Sequence, residues 1–252
     1  MPTEHHVSWL SAGMDGLPVD NSWMDEAETA RIETMEYSKR RLESTLSRHT
    51  AKTTLIRALG LEPDEETMAR VTIRNAPDGA PEAYVDGDEI DAVIAMTDRA
   101  DWAVCAVLHG SVRVGCDLEL VEPRSDAFIR DYFTAAEQKL ATGAIADDRH
   151  LRANLIWSAK ESALKVLRTG LRVDTRSVEV DLDLDGRAPC WRRLEVRGHD
   201  SIFPGWWHRF DEFVLTVVAA APVAEPISLA EPPALASAVP SHRWLEQPRR
   251  DR

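Results

Sequence analysis

Two short segments hold the residues best suited to chemistry: Gly115-Cys116-Asp117-Leu118-Glu119 and Trp157-Ser158-Ala159-Lys160-Glu161-Ser162-Ala163-Leu164-Lys165. In the first, Val112, Val114, Cys116 and Leu118 alternate with other residues, which predicts a strand. Alternate strand residues share a face, so Asp117 and Glu119 stand side by side. The second predicts a helix, with Ser158 in its first turn and no Gly or Pro before Gly170. Leu155, Trp157, Ala159, Ala163, Leu164 and Leu167 supply its apolar stripe. Glu161 and Lys165, four apart, share one face, and Lys160 lies one step round. Three carboxylates and two lysines that converge would suit a hard divalent cation and a phosphate. Such a cation prefers carboxylate oxygens, and ammonium groups take up the remaining phosphate charge. The plainer alternative is a pair of solvated acids on a strand and an ordinary Glu/Lys pair on a helix.

Helical and extended patterns alternate around these segments. Residues 1–22 read as irregular. Helices are expected over 25–35 and 39–59, with Gly60 placed to end the second. Strands are expected over 71–75, 90–96, 102–108 and 112–121, with turns at 78–81 and 86–88. The last three strands would share one antiparallel sheet, with His109-Gly110 as the hairpin turn between the final two. Further on, helices are expected over 125–133, 134–146 and 150–168, and strands over 178–183, 191–196 and 212–220. Thr134 and Glu137 have the spacing of a capping box. Helices followed by strands, twice over, predict an α+β fold of two similar lobes, 23–115 and 116–220. Residues 221–252, rich in Pro, Ala and Ser, read as a disordered tail in which only Trp244-Leu245 invites docking.

A chain of 252 residues can bury a full core. Its formal net charge of −13 argues against binding to nucleic acid through phosphate contacts. No apolar run approaches a membrane span, and no leader pattern opens the chain, so a cytoplasmic protein is expected. Cys105, Cys116 and Cys190 form no CxxC pair and are expected as buried free thiols in a reducing compartment. Positive charge clusters at Lys39-Arg40-Arg41, Arg48, Lys52 and Arg57 on one expected helix. That helix presents either a solvated face or a patch for an anionic ligand or acidic partner.

Taken together, the two opening segments resemble the signature of the 4′-phosphopantetheinyl transferase superfamily, a Gly-x-Asp-x-Glu strand followed by a Trp-Ser-x-Lys-Glu-x-x-x-Lys helix. The resemblance extends over about 23–220. Trp23-Met24-Asp25-Glu26-Ala27-Glu28, Lys39-Arg40-Arg41 and Ser47-Arg48-His49-Thr50-Ala51-Lys52 look like its N-terminal helical block. Gly79-Ala80-Pro81 looks like its Gly-x-Pro turn, and Asp131-Tyr132-Phe133-Thr134-Ala135-Ala136-Glu137 like its aromatic-then-Glu segment. The resemblance implies a monomer of two pseudo-symmetric α+β lobes with the active site between them. It also implies Mg²⁺-dependent transfer of phosphopantetheine from coenzyme A to a serine of an acyl- or peptidyl-carrier protein, in fatty-acid, polyketide or nonribosomal peptide synthesis. Asp117, Glu119 and Glu161 would then hold Mg²⁺ on the coenzyme A pyrophosphate. Glu161 would take or direct the serine proton, and Lys160 and Lys165 would contact pyrophosphate oxygens. Arg31, Ala80, Pro81, Thr97 and Asp98 would line the rest of the coenzyme site.

One departure stands out. The family carries a Ser-x-Ser-His motif whose histidine binds the coenzyme A 3′-phosphate, and here that motif falls on Ala95-Met96-Thr97-Asp98-Arg99. The histidine position is Asp98. Three outcomes remain open: a transferase that holds the 3′-phosphate with Arg31, Arg48 or Arg99; acceptance of a ligand lacking that phosphate; or a divergent member with another ligand or reaction. Arg149, His150 and Arg152, near Phe128 and Tyr132, are the candidate carrier-docking residues.

Overall fold

The computed structural model describes residues 5–143, 146–184 and 190–243. Trp244-Leu245 lies outside the described residues. The fold is α+β, with a long helix covering the outer face of each of two main sheets.

The first sheet has the order β12-β1-β6-β5. Its strands are β1 (Val7–Gly13), β5 (Ala92–Arg99), β6 (Trp102–His109) and the short β12 (Ile227–Ser228). The second has the order β7-β11-β10-β9-β8. It comprises β7 (Val114–Leu120), β8 (Glu179–Leu182), β9 (Arg192–Arg197), β10 (Ile202–Phe210) and β11 (Phe213–Ala219). A small sheet of β2 (Val71–Asn75), β3 (Pro81–Val85) and β4 (Asp88–Glu89) flanks the first.

Alternation along the strands builds three cores. Val104, Ala106 and Leu108 of β6 meet Cys116, Leu118 and Leu120 of β7 and Leu215 and Val217 of β11 in a core between the two sheets. Cys105 and Val107, on the other face of β6, pack with Leu55 and Ile56 of α2 (Ser38–Ala58). Val196, Trp207 and Val218 pack with Leu155, Ala159 and Ala163 of α6 (Ala146–Val166).

Shorter helices brace the long ones: α1 (Glu26–Glu33), α3 (Glu65–Arg70), α4 (Asp126–Tyr132) and α5 (Ala135–Thr142). Thr134 and Glu137 form the expected capping box on α5, and Asp25 and Glu28 form another on α1. Gly60, at φ +74, follows α2 where a left-handed residue ends a helix.

Four expectations are corrected. Residues 7–13 of the supposedly irregular N-terminus form β1, whose whole length pairs with β6. The described part of the supposed tail is packed: β12 lies parallel to β1, and Val223, Leu235 and Ala238 are buried. Apolar residues spaced too irregularly to show a period still fill the shared core. His109-Gly110 does not close a hairpin, because β7 leaves the first sheet and pairs with β11. Cys105 and Cys116 are buried free thiols, but Cys190 is exposed. No described helix is long and apolar enough to cross a membrane.

Gly115 fixes how closely α6 approaches β7. A Cβ there would lie 2.0 Å from the Ser162 carbonyl oxygen and 3.1 Å from Lys165 Cβ. Backbone cannot yield as a flexible side-chain tip would, so Gly115→Ala is expected to destabilise the protein by about 3 kcal/mol. Urea unfolding checks this; a loss under about 0.5 kcal/mol would show that the helix has room to move.

Candidate active site

β7 and α6 form the site. Ser158 is buried mid-helix, not in the first turn, because α6 already starts at Ala146. Its hydroxyl donates to the Asp117 carbonyl (2.9 Å) and lies 2.9 Å from Thr216 Oγ1, which is 2.7 Å from Ser162 Oγ. This buried ladder of three hydroxyls locks α6 in register over β7 and β11. Lys165 then reaches β7: its Nζ donates to the Cys116 carbonyl (2.7 Å) and to Asp117 Oδ1 (3.0 Å). Thr97 Oγ1 on β5 donates to the same carboxylate oxygen (3.2 Å). The other oxygen, Asp117 Oδ2, is buried and accepts no hydrogen bond among the described residues.

Glu119, two residues on, is held by Arg124 (2.9 Å) and Arg99 (3.3 Å). Arg124 also donates to Asn154 Oδ1 of α6 (2.7 Å), and its guanidinium stacks on Phe128. The sequence reading missed Arg124 and Asn154. The only available signal was an arginine five residues after Glu119, which is no recognisable spacing.

The electrostatics mark this as one site. Burial pushes the Glu161 carboxyl up to about 7, helped by the charges of Asp117 and Glu119 against the opposing pull of Lys165. Glu119 is raised as well, by burial and then Asp117, despite its two arginines. Burial disfavours the Lys165 ammonium, but Asp117 above all, then Cys116 and Glu161, outweigh it and raise the pKa.

Among the described residues, no three His, Cys, Asp or Glu side chains converge closely enough to form a ready-made metal cage. Asp117 Oδ1 is taken instead by Lys165 and Thr97, and Glu119 Oε2 by Arg124 and Arg99. The donor set nevertheless fits a hard cation. It offers a buried carboxylate oxygen with no partner among the described residues and a second carboxylate whose ionisation burial, and then the local negative charge, opposes.

A pH dependence follows. The Glu161 pKa is about 7 in the folded chain against an ordinary 4.5, so its contribution to stability is complete below about 4.5. It is lost as pH rises through about 7, a fall of roughly 2 kcal/mol between pH 5 and pH 8 without divalent cation. Mg²⁺ at about 100 times its Kd should restore about 2.7 kcal/mol. The gain should be larger at pH 8 than at pH 5.5, because protons compete for the same oxygens. Thermal melts with Mg²⁺ or chelator at both pH values test this; equal shifts would dismiss Glu161 as a ligand.

Lys160 does not belong to the site. Its ammonium is fully buried on the far side of α6, 2.8 Å from Glu137 Oε2, and donates to the Thr175 (2.9 Å) and Val178 (2.5 Å) carbonyls. One residue along a helix is a turn of about 100°, which carries Lys160 away from the face of Glu161.

Two cavities reach the neighbours of Asp117, one touching Thr97 and the other Lys165, while Asp117, Glu119 and Glu161 line neither. One, of about 630 Å³, is lined by Arg31, Lys39, Arg40, Arg48, Thr97 and Asp98, among others. The other, of about 520 Å³, is lined by Ala80, Pro81, Arg113, Leu164, Lys165 and Arg168, among others. Asn75 and Met96 border both. Of the basic helix, Lys39, Arg40 and Arg48 thus line a pocket, while Lys52 is buried against Glu28 (2.7 Å). Thr97 and Arg99 face β7 on strand β5, so Asp98 faces α2, where Ser47 Oγ donates to it (3.3 Å). Arg99 therefore cannot turn toward the Asp98 side to hold a phosphate there.

Comparison with known proteins gives a likeness over the part of the chain that carries these residues. Residues 113–218, from the start of β7 to the end of β11, match the profile of the 4′-phosphopantetheinyl transferase superfamily. The resemblance is to that superfamily. A protein named 4′-phosphopantetheinyl transferase from Bacillus subtilis is 30% identical over 122 residues, which cover 48% of this chain and 52% of that relative. The chain thus spans about half the length of the curated relative it matches.

Proposed function

We propose that this protein is a 4′-phosphopantetheinyl transferase, moving phosphopantetheine from coenzyme A to a serine hydroxyl of an acyl- or peptidyl-carrier protein. The observation that carries the reading is Asp117, with one oxygen on Lys165 and the other buried without a partner among the described residues, and with its charge felt by both Glu119 and Glu161. Asp117, Glu119 and Glu161 would hold Mg²⁺. When bound, it neutralises charge on the non-bridging and leaving phosphate oxygens.

The chain's own residues do the rest. The serine oxygen bonds to the phosphorus that carries pantetheine, and the bond from that phosphorus to the bridging oxygen breaks. The leaving group is 3′,5′-adenosine bisphosphate, and the serine proton passes to Glu161. A carboxylate must be ionised to accept it, a state that burial and the neighbouring acids oppose and a bound cation would favour. The Lys165 ammonium, its charge secured by Asp117, stabilises the phosphate oxygens. Arg31 and Arg48, in the basic pocket, and Ala80 and Pro81, in its neighbour, would take the nucleotide end. Thr97 steadies Asp117.

Tyr132 is partly exposed and forms an aromatic ledge with Phe128 and Trp157 beside Arg124. An apolar ledge next to the carboxylates is where the carrier would dock. Arg152 is turned to the Leu140 carbonyl and Arg149 to Asp126, so neither charge faces a partner unopposed.

The test is incubation with coenzyme A, Mg²⁺ and a panel of apo-carrier proteins, read by intact mass. The expected result is a gain of one phosphopantetheine on at least one carrier, lost on chelation. No gain on any carrier, with no binding of coenzyme A, would overturn the reading.

A further inference from the structure

Two guanidiniums share a single oxygen of Glu119: Arg124 lies 2.9 Å from Oε2 and Arg99 3.3 Å. They are held differently. Arg124 follows β7, and its Nε donates to Oδ1 of Asn154, a fully buried residue of α6 whose amide also donates to the Glu122 carbonyl (2.6 Å). Arg99 reaches across from β5 in the other sheet, and a second nitrogen of its guanidinium pairs with the buried Glu122 carboxylate. A guanidinium presents its N–H groups as a fork, so Arg99 spans Glu119 and Glu122 together. The longer of the two contacts to Glu119 is therefore also the one that can open without leaving the arginine unpaired.

Asp117, Glu119, Glu122 and Glu161 meet Lys165, Arg99 and Arg124 in this cluster, so most of its negative charge is already balanced. A divalent cation approaching Glu119 finds a guanidinium seated on one of its oxygens. Repulsion between like charges is several times stronger in such a partly enclosed place than in open water.

We infer that Arg99 is a resident counter-cation of Glu119, competing with a divalent cation for that carboxylate, and that Glu122 is the seat to which it withdraws. Arg99 is thus a positioning residue: it sets how readily Glu119 becomes a ligand. The inference rests on the transferase reading for its choice of Mg²⁺, and no substrate enters its test.

The test is calorimetric titration of the full, metal-free chain with Mg²⁺ at pH 8. Arg99→Gln removes the competing charge and should bind Mg²⁺ about tenfold more tightly than the wild type, or better. Arg99→Gln combined with Glu122→Gln removes the ion pair as a unit, which leaves the local net charge unchanged and no buried carboxylate stranded. This double variant should still bind at least about threefold more tightly, because Glu119 is unmasked. An arginine that only braces the structure predicts the opposite, a loosened Glu119 and weaker binding. Arg99→Lys keeps the charge and should stay within about threefold of the wild type. Unchanged or weaker binding in the double variant, or an Arg99→Lys protein that binds as tightly as the double variant, would overturn the inference and leave the transferase reading standing. Absence of Mg²⁺ binding in all of these proteins would remove the cation from both.

Discussion

With Glu161→Gln, transfer to a carrier serine should fall by roughly 10³-fold, while the protein melts no lower than the wild type in the presence of chelator. The two halves of this result separate chemistry from folding. Glutamine keeps the shape of the side chain but can neither accept the serine proton nor contribute charge to a cation. Burial and the charges of Asp117 and Glu119 make the ionised carboxylate unfavourable, so its removal relieves repulsion. At pH 8 the metal-free variant is therefore expected to gain roughly 1–2 kcal/mol over the metal-free wild type, and to lose most of the stabilisation that Mg²⁺ confers. Single-turnover transfer and paired thermal melts are the measurements. Activity within tenfold of the wild type would remove Glu161 from both roles. A lowered melting temperature in chelator would make the residue structural.

The placement of the candidate residues on one strand and one helix was more legible in the sequence than what supports them. Asp117, Glu119, Glu161 and Lys165 follow from period two on a strand and period four on a helix, and those periods hold in β7 and α6. Lys160 fell outside the reach of this reasoning, because a lysine beside a glutamate gives no sign that its partner lies on another helix. The α6 stripe was likewise too narrow: residues 153–160 are buried on every face, because α5 and the β8–β9 side enclose what an amphipathic pattern would leave to solvent. β10 escaped notice because Pro204 and Gly205 look like punctuation, yet they pair with Glu195 and Leu194 inside the sheet. At Gly205 a Cβ would lie 2.4 Å from the Val217 carbonyl oxygen, so the glycine marks close backbone approach and not a turn. β1 and the segment after β11 were missed for a different reason. Their burial depends on each other and on the core between the sheets, which no local window of sequence contains.

Lys160→Met should cost about 3–5 kcal/mol of stability, the loss typical when one partner of a buried ion pair is removed. It should leave the KM for coenzyme A unchanged wherever the variant remains folded. The reason lies in a duplication that the sequence does not display. On α6, Lys160 meets Glu137, the capping-box glutamate of α5, which also accepts from the Val180 backbone N–H (2.8 Å). On α2, Lys52 meets Glu28, the capping-box glutamate of α1, which also accepts from the Ile73 backbone N–H (3.0 Å). Each ammonium is finished by two backbone carbonyls: Thr175 and Val178 for Lys160, Trp23 and Met68 for Lys52. In both, burial pulls the lysine pKa down and the glutamate opposes it. The same device therefore ties a short capped helix, a long helix and a strand together in each half. Among the described residues only one half carries a cluster like Asp117, Glu119 and Glu161 beside it, so the device belongs to the fold and not to the reaction. Lys52→Met should accordingly lower stability by a similar amount, and urea unfolding of the two variants measures both losses. A Lys160→Met protein that unfolds like the wild type but binds coenzyme A tenfold more weakly would return Lys160 to the ligand and refute its structural assignment.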